Sequence, residues 1–203
     1  LARGKLSRED LQRHMNDLAR LPEAVARALR DAPVCEREAQ RFQTAGHILF
    51  LGRGLAFPAA MEGALKMKEI SYIYASGHPS AELKHGIIAL VKPDMPSVFI
   101  APHDAVFEKN ISNIEEVKAR KGPVIAVATD GDTGIENTGV DKHASPDDVA
   151  SQPNDMIWVP ACPELVSPIL VGIPLQLLAY HIAKFRGEHI DQPRNLAKTV
   201  TVE

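Results

Sequence analysis

The sequence predicts an α/β fold: a doubly wound, five-stranded parallel sheet with the flavodoxin-like strand order 2-1-3-4-5. Three observations carry this expectation. From residue 47 onward, short apolar runs alternate with longer stretches of helical period, which is how a parallel sheet with crossover helices reads. Right-handed crossovers then favour that strand order and helices on both faces. Finally, 203 residues with 45% hydrophobic and 24% charged side chains suffice for one well-filled core, and 13 Gly and 15 Pro are ordinary for a globular chain.

Residues 1–46 read as a helical lead-in, with apolar and charged positions alternating at helical spacing. Ser7 followed by Asp10 is an acidic variant of a capping box, and Pro22 is expected to open a second helical run. Leu11, Leu18, Leu21, Ala24, Val25 and Leu29 are expected to cover something, and chemistry is not expected there. Strands are predicted at 47–51, 72–76, 97–101, 123–129 and 155–159. Helices are predicted over 58–71, with Pro58 in the first turn, and over 104–121, with Asp104 as N-cap. A short helix over 79–85 ends near Gly86, and a longer one over 163–185 closes the set. The stretch 130–155, rich in Gly, Asp, Thr and Ser, reads as a polar surface loop. This divides the chain into a lead-in (1–46), the α/β domain (47–187) and a C-terminal tail (188–203).

Net charge is −3, from 23 basic and 26 acidic side chains, so no strong cationic field exists to condense on nucleic-acid phosphates or anionic lipid. The most apolar segment, 165–183, is interrupted by Pro168, Pro174 and Gln176 and is expected to be a core helix rather than a membrane anchor. Cys35 and Cys162 form no metal or redox spacing, which favours a reduced, cytoplasmic compartment. The chain opens at Leu1 without the pattern of a signal peptide and is expected to be the C-terminal piece of a longer polypeptide.

Ligands of doubly wound folds bind at the carboxyl ends of the strands, which directs attention to residues 52–58, 76–85 and 101–104. In the first of these turns, Gly52, Arg53 and Gly54 could let backbone amides approach an anion, but Phe57 breaks the dinucleotide fingerprint and no phosphate-loop ending follows. On the next helix, Glu62, Lys66 and Glu69 are spaced by four and three, so they share one face. By spacing alone this is a solvated salt-bridge stripe. The alternative is a carboxylate with a neighbouring ammonium, suited to moving a proton beside a carbonyl while the cation offsets enolate charge. His78 and His85, with Glu82 between them, supply too few donors for a metal site. His85 before Gly86 reads as a helix-end cap or surface residue, or as an acid/base group. Beyond Pro193 the tail carries no pattern that demands burial.

The runs FLGRG (50–54), EGALKMKEISYI (62–73), SAELKHG (80–86), IPLQLLAYHIA (173–183) and DQPRNLAKTVTVE (191–203) together resemble the C-terminal isomerase region of the glutamine:fructose-6-phosphate amidotransferase (glucosamine-6-phosphate synthase) family. The resemblance covers most of 47–203 outside the polar loop, and residues 1–46 fit the linker entering the second of that family's two sugar-isomerase (SIS) domains.

What the resemblance implies is synthesis of glucosamine 6-phosphate from fructose 6-phosphate and glutamine-derived ammonia, in a homodimer, without metal or organic cofactor. The glutaminase domain and the first SIS domain, whose Ser/Thr-rich loop holds the sugar phosphate, have no counterpart in these residues. By the same resemblance Glu69 moves the proton between C1 and C2 of the sugar, and Lys66 assists near the oxygens. His85 opens the sugar ring, reaching the partner subunit's site, and Lys198 forms a Schiff base with the C2 carbonyl. Gly52, Arg53, Gly54 and Ala197 are the expected substrate-binding residues. Position 87 is Ile where the family has Pro. A stand-alone phosphosugar-binding SIS module and an ammonia-independent aldose–ketose isomerase are the rival readings.

Overall fold

The computed structural model describes residues 4–135 and 156–196. Five parallel strands, β1 (His47–Gly52), β2 (Tyr74–Pro79), β3 (Ser97–Ala101), β4 (Val124–Thr129) and β5 (Met156–Val159), form one sheet in the order β2-β1-β3-β4-β5. The predicted topology is therefore the one found. Registers run from His47 opposite Tyr74 and Leu49 opposite Ser97 to Ser97 opposite Val124 and Ala126 opposite Met156.

The strands are buried on both faces, which is why they read as continuous apolar runs. Ile48, Phe50, Val98, Ile100 and Val127 face one layer, formed by α2 (Ala32–Phe42), α3 (Ala56–Ser71), α6 (Ser167–Phe185) and the end of α1 (Arg8–Ala28). Leu49, Leu51, Phe99 and Ala126 face the other, formed by α4 (Phe107–Lys118) and the 3-10 segments Ser80–His85 and Ile87–Leu90.

Ser7 caps α1 as predicted, its hydroxyl accepting from the Asp10 amide at 2.9 Å. Pro22 opens no second run. It lies inside α1 on an exposed side, where the carbonyl it leaves without a partner can turn to water. Leu11, Leu18 and Leu29 stay exposed, contrary to expectation, and only Ala24, Val25 and Ala28 of that helix join the core. β2 starts at Tyr74 instead of residue 72, because Tyr72 adopts a left-handed backbone, φ 58°, that closes α3. α4 starts at Phe107, not at an Asp104 cap; the Asp104 carboxylate accepts from the Val106 amide at 2.9 Å and builds the turn before the helix.

α6 is 19 residues long, and its most apolar 18-residue window has a mean hydropathy of 1.3, so by length and composition alone the helix could cross a membrane. Pro168 lies in its first turn and Pro174 is accommodated within it. Leu170, Val171, Leu175, Leu178 and Ile182 are buried in the layer shared with α2 and α3, as a core helix requires. Of the predicted loop 130–155, residues 130–135 are described and include the one-turn helix α5 (Thr133–Ile135); the rest lies outside the described residues.

One close approach sets the height of α3 above the sheet. A Cβ on Gly77 of β2 would stand 2.7 Å from Met61 Cα and 2.9 Å from Met61 N, both backbone atoms of α3 that cannot swing aside. Gly77→Ala is therefore expected to destabilise the fold by about 1–3 kcal/mol, the usual cost of overpacking. A urea unfolding midpoint equal to that of the unmutated chain is the contrary result.

Candidate functional site

The first turn is built by backbone geometry. A Cβ on Gly52 would lie 2.3 Å from the Ala56 carbonyl oxygen, so only glycine fits where the chain doubles back into α3. The Ala56 and Phe57 amides already donate to the Arg53 and Gly54 carbonyls at 3.1 and 3.3 Å. Two of the amides at the start of α3 are thus engaged, and Arg53 is half-buried beside them. Further along the carboxyl edge, His103 donates its backbone N–H to the Thr129 hydroxyl at 2.9 Å, and its Nδ1 is 2.7 Å from Asp132 Oδ2. The hollow among Pro102, His103, Thr129, Cys162 and Ser167 measures only about 10 Å³, the space of a water.

The charged face of α3 is elsewhere. Lys66 Nζ donates to Glu69 Oε2 at 2.8 Å and is 3.7 Å from Glu62 Oε1. The hydrogen bond to Glu69 pushes the Lys66 ammonium above its ordinary pKa, so Lys66 is a fixed cation and not a nucleophile near neutral pH. Its side chain is 35% exposed and that of Glu69 26%. The pair does not lie at the carboxyl end of the sheet beside residues 52–54. A helix that leaves the carboxyl end of β1 must run back toward the amino end of β2, and Glu69 lies three positions from the end of α3. Thirteen residues at 1.5 Å each put it about 20 Å down the axis from Ala56.

His85 ends the 3-10 segment Ser80–His85 on the opposite face of the sheet, where Leu83 packs into the α4 layer and Lys84 pairs with Glu116 of α4 at 2.8 Å. Its side chain is 74% exposed, and its only described ionic neighbour is Glu82 at 3.9 Å. A single copy does not bring His85 to Lys66 and Glu69. His78 does not converge with His85 either, since its Nε2 meets the Ser76 hydroxyl at 2.9 Å.

The tail comes to α3 by a contact that the sequence pattern did not signal. The Arg194 amide donates to the Tyr72 hydroxyl at 2.8 Å, and the Arg194 guanidinium lies over the Tyr72 ring at 4.0 Å from its centroid. The described chain ends two residues later, so Ala197 and Lys198 lie outside the described residues.

The family model for the SIS domain matches residues 41–183. The chain belongs to the SIS domain family. This SIS domain is 46% identical over 204 residues to a glutamine–fructose-6-phosphate aminotransferase (isomerizing) of Chlorobaculum tepidum, and 45% identical over 201 residues to that of Thermus thermophilus. The matches take in 100% and 99% of this chain but only 31% of each relative. The chain thus spans about a third of the length of these relatives. The solved C-terminal domain of glucosamine-fructose-6-phosphate aminotransferase from Francisella tularensis superposes with a TM-score of 0.80 at 35% identity, over 92% of this chain and 49% of that one.

Two histidines in this SIS domain are kept neutral by their surroundings. Burial pushes His78 and His181 below the ordinary value of 6.5, and for His181 the Glu36 carboxylate only partly opposes it. The unfolded chain therefore binds these protons more readily, so their contribution to stability is complete above about pH 6.5 and is lost as pH falls through the folded values. Melting temperature is expected to drop between about pH 7.5 and about pH 5.5, and to drop less in His181→Asn. An identical pH dependence in that variant counts against burial of His181 as a cause.

Proposed function

We propose that this SIS domain belongs to the isomerase region of a glutamine–fructose-6-phosphate aminotransferase and that it contributes part of a site making glucosamine 6-phosphate. The observation that carries this is the meeting of the root of the tail with the end of α3 that bears Lys66 and Glu69. Arg194 is held at Tyr72, one helical turn beyond Glu69, and the four residues from Arg194 to Lys198 span at most about 14 Å. Lys198 is thereby within chain reach of the pair.

In the proposed reaction, Lys198 acts as a neutral amine: its Nζ adds to C2 of open-chain fructose 6-phosphate, and the carbonyl oxygen leaves as water. Ammonia then adds to the imine and releases the lysine. Glu69 takes a proton from C1 and returns it to C2, while the O1 proton moves to nitrogen, leaving an aldehyde at C1 and an amine at C2. Lys66, held protonated by Glu69, offsets the negative charge that develops on oxygen. His85, with its exposed ring, is proposed to open the sugar ring in the partner subunit of a homodimer.

The phosphate is proposed to be held by another unit, in keeping with the partial exposure of Lys66 and Glu69. Gly52, Arg53, Gly54 and Ala197 are proposed as further substrate contacts. In this reading residues 1–46 form the lead-in, 47–187 the SIS domain and 188–203 the closing tail. The free thiols of Cys35 and Cys162 accord with a cytoplasmic setting.

The test is borohydride reduction in the presence of fructose 6-phosphate, on the natural polypeptide that contains this chain. Sugar is expected on Lys198 and not on the Lys198→Arg variant, whose guanidinium cannot add to a ketone. Glu69→Gln is expected to keep the trapped imine yet lose glucosamine 6-phosphate formation by about 100-fold or more. No trapping, with phosphosugar binding or ammonia-independent isomerisation retained, would support a rival reading instead.

A further inference from the structure

We infer that α4 braces His85: Ser80, Asn110, Asn113 and Glu116 are positioning residues that fix the backbone from which its exposed ring projects. The inference rests on the role proposed for His85 above.

His85 closes a six-residue 3-10 segment, Ser80–His85. Such helices rarely exceed three or four residues, because their hydrogen bonds are poorly aligned, so one of this length has to be held from outside. α4 holds it at both ends. At its first residue, the Ser80 hydroxyl donates to Asn110 Oδ1 at 2.6 Å, and both residues are fully buried. In the orientation that satisfies both ends of its amide, Asn113 Nδ2 donates to the Ser80 carbonyl at 3.2 Å and to the Lys109 carbonyl at 3.0 Å. In the middle of the segment, Leu83 is fully buried in the α4 layer. At the residue before His85, Lys84 Nζ is 2.8 Å from Glu116 Oε1. Asn110, Asn113 and Glu116 follow one another at intervals of three, so they form a single ridge of α4 along the segment.

Ser80 and Asn110 meet inside an apolar layer. Burying two polar side chains costs desolvation that their bond roughly offsets, so what the pair supplies is a single geometry more than stability. Beyond His85 the chain is also constrained. Gly86 takes φ 135°, which side chains rarely adopt, and Ile87 and Ile88 pack against the same layer. Ile87 leaves its own φ free where a proline would fix it, so more of the hold on His85 falls to α4. The ring itself is 74% exposed. A side chain offered to another subunit's substrate has little packing of its own to keep its direction, and its base must supply that. A displacement of about 1 Å at the base can cost about 100-fold in rate.

The experiment uses the natural polypeptide and two ketoses: fructose 6-phosphate, and 5-deoxyfructose 6-phosphate, which lacks the hydroxyl that closes the furanose ring and is already open. The readings are kcat and KM for amino-sugar formation from each, in the unmutated protein, His85→Ala, the Ser80→Ala/Asn110→Leu double variant and Glu116→Gln. His85→Ala is expected to lower kcat for fructose 6-phosphate by about 100-fold and to spare the open ketose. The double variant removes both partners of the buried bond and leaves neither orphaned, so its fold is retained. It is expected to lower kcat for fructose 6-phosphate by about 10-fold, with KM and the rate on the open ketose little changed. Glu116→Gln keeps the shape of the side chain without its charge and is expected to show a smaller loss of the same kind. A merely structural role cannot move the ratio of the two kcat values, because fewer folded molecules lower both alike. A ratio unchanged in the double variant but lowered in His85→Ala overturns the brace and leaves the role of His85 standing. A ratio unchanged in His85→Ala overturns that role, and the brace with it.

Discussion

The seating of α3 on β1 and β2 is the constraint on which the rest of the molecule depends. Small residues on its inner side, Ala59, Ala60 and Ala64, let the helix lie low, and Gly77 of β2 admits the backbone at Met61 directly. Once that depth is set, the helix has no rotational freedom: Met67 is fully buried, and Glu62, Lys66 and Glu69 must turn outward. The chain direction then puts the charged end at the amino edge of the sheet. Packing and electrostatics are thus one decision here, because no rotation of α3 could bury Lys66 or bring it to the opposite edge without emptying the core.

Under the proposed function, that geometry explains how one domain can contribute side chains without itself enclosing a substrate. Doubly wound folds collect ligands where the strands end, yet the paired ammonium and carboxylate lie about 20 Å from there. In the proposed reading, side chains in such a position act on something presented from outside the domain. His85, on the far face, is offered outward in the same way.

Much of the fold was legible in the residues, for reasons that can be named. Strands buried on both sides are continuous apolar runs, and crossovers of one hand leave little choice of strand order. What was not legible were decisions made by distant partners. Tyr72 looks like the first residue of a strand until Arg194, 122 positions away, is seen to claim its hydroxyl. Pro22 looks like a helix start, and only its exposed position explains why α1 runs through it. The identities of Lys66, Glu69 and His85 could be singled out from motifs. Their location could not, since a helical face specifies which residues lie together and not which end of the sheet they reach.

The lead-in also does more than connect. The Asp31 carboxylate, between α1 and α2, accepts the Trp158 backbone N–H of β5 at 2.7 Å, on the outer edge of the sheet. Unpaired amides on such an edge are templates for pairing with another chain. Cys35 and Ala39 of α2 are fully buried in the same layer as α6, which ties the lead-in to the sheet from a second direction. In evolutionary terms the transferable module is therefore larger than the repeating strands and helices suggest. A gene fusion or domain exchange that cut at residue 47 would carry away a sheet with one raw border, whereas a cut ahead of Ser7 would move a finished unit.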